Sequence, residues 1–345
     1  MVRNTSAARR LATLATSLVV LLALVACGKK SETGQPTQTP ISVALDWFPN
    51  PDHVGIFSAI DRGRFMEAGL EVGTTPPPPA DPSLPIKQAA RGQVDLAVTY
   101  EPEVYLAREQ GLDVVAVAAL AQRPLTSLVS LPKGKIRKPS DLEGKRIATA
   151  GIPYQEAYLK SILAEADLTL DDVKTVSVGD SLQPPLLSGK VDAVLGMFWN
   201  VEGVELKERK KKPRIQPVDE LGVPAYDELV LVTSRKRLEE DPESLRLFIA
   251  ALARGTEDAE RNPGRAVNAL LDANPDLDRK LTRAEVDATL PVLKAPGDKP
   301  FGHLDRAEWQ AFGDWMRDQK LIAQPANADE ALSTDLLTSG PDTER

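Results

Sequence analysis

The chain has 345 residues, room for two domains of ordinary size. Apolar residues make up 42% and charged residues 27%, a globular composition that excludes disorder along the whole chain. Net charge is −8, and the first 26 residues hold Arg3, Arg9 and Arg10 but no acid, so the chain beyond them stands at −11. A surface of that sign repels phosphate backbones and argues against nucleic-acid binding.

The three arginines precede an apolar run from Leu11 to Val25, closed by Leu24-Val25-Ala26-Cys27. The run is interrupted by Thr and Ser and falls short of the ~20 apolar residues a membrane span needs, so it reads as an export signal. Cys27 is the single cysteine, which excludes an intrachain disulfide. Its setting resembles the lipobox of bacterial lipoproteins. That resemblance implies loss of residues 1–26, a lipid on Cys27 and attachment to the outer face of a membrane. An ordinary signal with an incidental cysteine is the alternative. Residues 27–40 are polar, proline-punctuated and aperiodic, as expected of a tether.

From Ile41 short β-like runs alternate with helical patterns, the signature of an α/β protein. Val43–Leu45 reads as a strand, Val54–Ala68 as a helix stopped by Gly69, and Leu70–Val72 as a second strand. A proline-rich loop leads to a helix over Pro85–Arg91 and a strand over Val94–Tyr100. Another helix and the strand Asp113–Leu120 follow. Ser140 and Asp141 suit a helix start and Arg146–Thr149 a strand. The segments "ARGQVDLAVTYEP" (90–102) and "LSGKVDAVLGMFW" (187–199) echo each other, at a spacing too long for a solenoid but fitting two similar lobes. The expected organisation is a two-lobed α/β clamshell: 41–130 with 229–325 as the first lobe, 131–228 as the second, and 326–345 as a weakly structured tail. Asp241 and Pro242 open a long helix in N-cap and N1 positions. Trp309, Phe312, Trp315 and Met316 follow helical spacing and are read as core.

Ligands of open α/β sheets sit beyond the carboxyl ends of the strands. Four strand ends carry the candidates: Asp46, Trp47, Asn50 and His53; Tyr100 and Glu101; Gly151, Tyr154 and Gln155; Phe198, Trp199, Asn200 and Glu202. Two of the four tryptophans and two of the five tyrosines fall there. Aromatic faces grip a flat ring, and carboxylates beside them accept hydrogen bonds from ring amino groups. Each residue has a structural alternative. Asp46 and Asn50 suit a turn, His53 a helix cap, Tyr100 and Trp199 a core, and Glu101 and Glu202 plain solvation. "KERKKKPR" (207–214) reads as a solvated helix end. No G-x-S-x-G, H-E-x-x-H, P-loop or G-x-G-x-x-G element is present. Two histidines and one cysteine do not offer a soft-metal set, and no cofactor is expected.

"LDWFPNPDHVGIF", "DRGRFMEAGLEV" and "GQVDLAVTYEPEVYLAREQGLDVVAVAAL" resemble the thiamine-pyrimidine-precursor-binding proteins, a group related to pyrimidine-precursor synthases and to riboflavin, sulfonate and nitrate binders. The similarity runs from about Ile41 to Ser234 and more vaguely to Ile322. It implies a type II periplasmic-binding fold and a monomer that hands a formyl- or hydroxymethyl-aminopyrimidine to an ABC permease. It also implies that Trp47, Asn50 and Glu202 line the cleft, with Asp46 and Trp199 beside them. The synthase branch carries a cysteine-rich iron motif, which a chain with one cysteine lacks, so the resemblance implies a binder and not an enzyme. Riboflavin or another flat heterocycle is the nearest alternative ligand; an anion such as a sulfonate fits the carboxylate-bearing loops less well.

Overall fold

The computed structural model describes residues 38–77, 83–295 and 297–337. The expected signal, Cys27 and most of the tether lie outside the described residues.

Among the described residues ten strands form two five-stranded mixed sheets. In chain order they are β1 (Thr39–Ala44), β2 (Leu70–Thr75), β3 (Leu96–Thr99), β4 (Val114–Ala121), β5 (Thr126–Ser130), β6 (Arg146–Thr149), β7 (Lys174–Ser177), β8 (Ala193–Phe198), β9 (Arg214–Pro217) and β10 (Leu229–Ser234). The first sheet runs β2-β1-β3-β10-β4 and the second β7-β6-β8-β5-β9. β1 pairs in parallel with β2 and β3, and β6 with β7 and β8. β10 and β5 are the antiparallel insertions. The two sheets therefore follow one plan, and the echoed segments supply β3 and β8, the same position in each.

The echoed aspartates explain themselves here. Asp95 Oδ2 accepts from Ser42 N–H at 2.8 Å, and Asp192 Oδ2 accepts from Arg146 N–H at 3.0 Å. In both lobes the acid before the third strand clamps the backbone of the first. Charge-assisted bonds of this kind are among the stronger ones a fold can make.

Three details differ from the sequence expectation. β5 belongs to the second sheet, so the first crossing lies at residues 122–125 and not after 130. Its apolar run continues that of β4, and hydropathy cannot separate them. The helix expected over 54–68 divides into Val54–Asp61 and Arg64–Glu67 around Gly63. The tail is ordered up to residue 337: Leu332 bridges Ala116 in β4, Ser333 N–H donates to Ala116 C=O, and Leu332 and Leu336 are buried. It covers the outer edge of β4, which would otherwise offer an open ladder.

Helices fill both faces of the first sheet. Pro242–Arg261, with Asp241 accepting from Ser244 N–H as N-cap, crosses Val54–Asp61 so closely that a Cβ on Gly255 would lie 2.4 Å from Ala59 Cβ. Trp309, Phe312 and Met316 are buried, as their spacing predicts. Both crossings meet at Glu228, whose carboxylate accepts from the Leu125 and Thr126 N–H groups at 2.8 Å, from the Thr126 hydroxyl and from the Tyr226 hydroxyl.

Candidate functional site

The loop after β1 is built around a buried charge. Asp46 Oδ1 lies 2.7 Å from His53 Nε2, and Oδ2 accepts from the Tyr100 hydroxyl at 2.7 Å. His53 Nδ1 accepts from Asn50 N–H at 3.3 Å, so Nε2 carries the proton donated to Asp46. Burial alone would raise the Asp46 pKa. The His53 ring and the hydrogen bonds from His53, Tyr100 and the Asp46 amide outweigh it, and the carboxyl is held below its ordinary value. Burial and then the Asp46 charge push the Tyr100 phenol well above its usual range, which keeps it a donor.

Asn50 works inside this loop. Its Oδ1 accepts from Asp52 N–H at 2.8 Å and its Nδ2 donates to Phe48 C=O at 3.0 Å, capping the short 3-10 turn Pro51–His53. Trp47 is left 36% exposed beside Phe48 at 41%, the two rings edge to face at 5.6 Å. These are the aromatic faces the loop presents outward.

The other strand ends divide by task. Glu101 turns toward the crossing: its Oε2 accepts from Asp227 N–H at 2.7 Å, while Oε1 is buried without a partner. Burial, then the neighbouring Asp227, raise its pKa well above the ordinary value. Gly151 sits in an exposed turn at φ +85°, where a Cβ would meet Ser177 Oγ at 2.4 Å, so a side chain there is strained and glycine is favoured. Tyr154, at the start of the helix Pro153–Ala164, is buried with its ring 5.5 Å from Tyr158. Gln155 Oε1 accepts from Ala150 N–H. Trp199 packs on the first crossing, with its Nε1 donating to Pro124 C=O at 3.2 Å. Phe198 instead meets Tyr100 of the first lobe, edge to face at 6.5 Å. Glu202 accepts from Phe198 N–H, and burial raises its pKa.

Asn200 is wholly buried and crosses between lobes. Its Nδ2 donates to Asp52 Oδ1 at 2.6 Å and to Thr289 Oγ1 at 2.8 Å. Asp52 and Thr289 were not among the sequence candidates, nor was Glu285, one turn before Thr289 on the helix Arg279–Thr289. Asp52 lies within the loop motif, yet the sequence reading gives it no role. Nothing in sequence connects Glu285 to a loop more than two hundred residues away.

Two lobes of one strand plan, with acidic and aromatic loops meeting at the carboxyl ends of their sheets, define the clamshell class of solute-binding folds. Solved structures agree. The alkanesulfonate-binding protein of Xanthomonas axonopodis superposes with a TM-score of 0.66 at 17% identity, covering 88% of this chain and all of that one. The aliphatic sulphonate binding protein of Escherichia coli gives 0.69 at 14%, over 90% and 96%. At such identities the likeness is one of periplasmic-binding fold alone.

Family membership is narrower. The model of the NMT1/THI5 like family matches residues 50–266, and the chain belongs to that family. It is 34% identical to the formylaminopyrimidine-binding protein of Halalkalibacterium halodurans, across 92% of this chain and 96% of the relative. A putative thiamine biosynthesis protein of Haemophilus influenzae is 37% identical over 82% and 88%. A 4-amino-5-hydroxymethyl-2-methylpyrimidine phosphate synthase of Legionella pneumophila is 24% identical over 87% and 93%. Among the described residues no helix is long and apolar enough to cross a membrane.

Proposed function

We propose that this chain is the solute-binding component of an importer and captures an aminopyrimidine precursor of thiamine between its lobes. One observation carries the reading: the chain aligns over nearly its whole length with a relative named for binding formylaminopyrimidine, and its cleft loops offer the chemistry such a ring needs. Trp47 and Phe48 supply faces for a planar guest, and Glu202 is the carboxylate that accepts from an exocyclic amino group. The buried Asp46–His53–Tyr100 set holds the Trp47 loop rigid, so that stacking does not have to order it first.

Delivery to an ABC permease and a lipid anchor at Cys27 belong to the same proposal. A lipid there would hold the binder near its permease and raise its effective concentration. The synthase activity named for more distant relatives is not part of it: residues 38–345 contain no cysteine, and the resemblance ties that chemistry to a cysteine-rich iron motif.

A thermal-shift screen against formyl- and hydroxymethyl-aminopyrimidine, thiamine, riboflavin and a sulfonate tests the reading. A true ligand at a hundred times its dissociation constant stabilises by about 2.7 kcal/mol. A shift with riboflavin or the sulfonate and none with either aminopyrimidine would overturn the ligand assignment.

A further inference from the structure

The contact through Asn200 joins three separate parts of the molecule. Asp52 belongs to the loop after β1, Asn200 to the loop after β8 of the other lobe, and Thr289 to the end of the helix Arg279–Thr289. The neighbouring links across the lobes are peripheral or soft: Lys280 to Glu208 is exposed, and Tyr100 against Phe198 is a ring contact. The Asn200 contact is the one that places a hydrogen-bonded amide, fully removed from water, against a buried carboxyl.

The surroundings of that carboxyl are unusual. From its own loop Asp52 faces Asp46 and His53, and from the second lobe Glu202. Asp52 in turn acts on Glu285 of the helix Arg279–Thr289, as do Glu205, Glu202 and Asp278. His53 is the sole basic group in that set. Asp52 also borders a void of about 10 Å³ whose walls are mostly apolar, Ile56, Leu120, Leu252, Leu293 and Phe301, with Thr256 the other polar residue. The residue thus combines acidic neighbours with a largely apolar wall. A further orphan lies in the same place: Asn200 Oδ1 is buried and has no hydrogen-bond partner. An acceptor with nothing to accept from, beside a carboxyl, is satisfied when a proton-bearing group turns toward it.

We propose that Asp52, Asn200 and Thr289 form the closure latch of the clamshell, and that the latch takes up a proton as the lobes shut. The inference rests on the two-lobed binding reading but not on the identity of the ligand. Burial pushes Asp52 up to about 7, against the lowering effect of the Asn200 hydrogen bond, and burial with Glu205 next pushes Glu285 up to about 8. Opening the lobes takes Asn200 and Glu202 away from Asp52, and Glu205 and Glu202 away from Glu285, and lets water reach both carboxyls, which lowers them toward ordinary carboxyl values. The sign follows: a carboxyl whose pKa is raised in the closed form favours closure fully at acid pH. That advantage is lost as pH climbs through the closed-form value. Between about pH 4 and pH 8 closure therefore weakens by up to about tenfold per unit for each group that titrates, and above that it is level. A site that shuts in this way releases its guest more readily on the alkaline side.

The test needs no ligand. Spin labels at Ile60→Cys and Val176→Cys, both exposed and on different lobes, in the full chain carrying Cys27→Ser, report the interlobe distance by double electron–electron resonance. The expected result is a short distance at pH 5 that gives way to a longer one by pH 8.5. Asp52→Asn supplies a neutral amide that can pair with both ends of Asn200, and with Glu285 alone left to titrate its opening is shallower and shifted to higher pH than the parent's. Asn200→Asp sets two carboxyls together and opens the lobes at a lower pH than the parent. A parent distance that does not move between pH 5 and 8.5, or an Asp52→Asn variant that opens with the same midpoint as the parent, overturns the proposal. Because no aminopyrimidine is present, neither result bears on the ligand assignment, which the thermal-shift screen decides separately.

Discussion

The two lobes share a strand order and an aspartate clamp, yet their loops part company. In the first lobe the segment after β1 holds a buried acid and a histidine, joined in one network to Tyr100 at the end of β3. In the second, the equivalent segment after β6 is an exposed glycine turn followed by a glutamine that accepts from the Ala150 N–H at the start of the same turn. Even the clamps differ in depth: Asp95 also receives Arg237 Nε at 2.7 Å from the helix after β10, whereas Asp192 is met by Arg146 of the strand it clamps. What recurs in both lobes builds the sheet, and what occurs once shapes the cleft. The repeated positions are a scaffold, and the asymmetry between their loops is where selectivity has room to arise.

Five substitutions probe that division. Glu228→Ala should have the largest effect, since it strips an acceptor from two backbone N–H groups and the Tyr226 hydroxyl at the point where the lobes meet; a loss of about 3 kcal/mol or more is expected in urea unfolding. A loss under a third of that would mean the crossings hold together without it. Asp95→Ala should cost about 2 kcal/mol and Asp192→Ala about 1, the difference reflecting the long-range Arg237 partner that only Asp95 has. Equal losses would show that the backbone clamp alone matters. The pH dependence of the pair is also set. Both carboxyls are held below their ordinary value, so the stability they lend is present above that value and disappears as pH falls through the depressed one. Chemical denaturation at pH 6 and pH 3 should show the parent losing more than either variant.

Gly151→Ala, in the second-lobe turn, should destabilise by about 1 kcal/mol through its left-handed backbone and the approach to Ser177. Pairing it with Ser177→Gly should recover the steric part and leave the backbone part. The smallest effect on stability belongs to Trp47→Ala. An exposed ring outside the core should shift the unfolding midpoint by less than about 0.5 kcal/mol. The same change should weaken aminopyrimidine affinity at least about tenfold by calorimetry, as expected for a lost stacking face. Retained affinity would remove Trp47 from the site and move attention to Phe198 and Tyr100.

Much of the scaffold was legible because it obeys local rules. Alternation, caps such as Asp241 with Pro242, and the Val-Asp echo all act over a few residues, and each reappears in the folded chain. The loops proposed for chemistry were legible by position, at the strand ends. Roles within them were not. Asn50, His53, Glu101 and Gly151 turn their polar atoms or backbone to holding loops in shape, and which way a side chain faces depends on partners such as Asp227 that lie far along the chain. Asp52, Thr289 and Glu285 escaped for the same reason. A carboxyl on an amphipathic helix looks like any solvated acid until a second lobe comes down over it. β5 was misplaced because two consecutive apolar strands carry no signal that says the second one leaves for another sheet.

The antiparallel insertion of β10 between β3 and β4 has a consequence for how the molecule is made. During synthesis all the strands of the second sheet, from Thr126 to Pro217, emerge from the ribosome before Leu229–Ser234 can complete the first. The lobe that starts second can therefore finish first, while β1 to β4 wait with a gap in their middle. Nascent chains stalled before residue 229 should show protease resistance over 126–217 and none over 39–121, an order of assembly opposite to the order of translation.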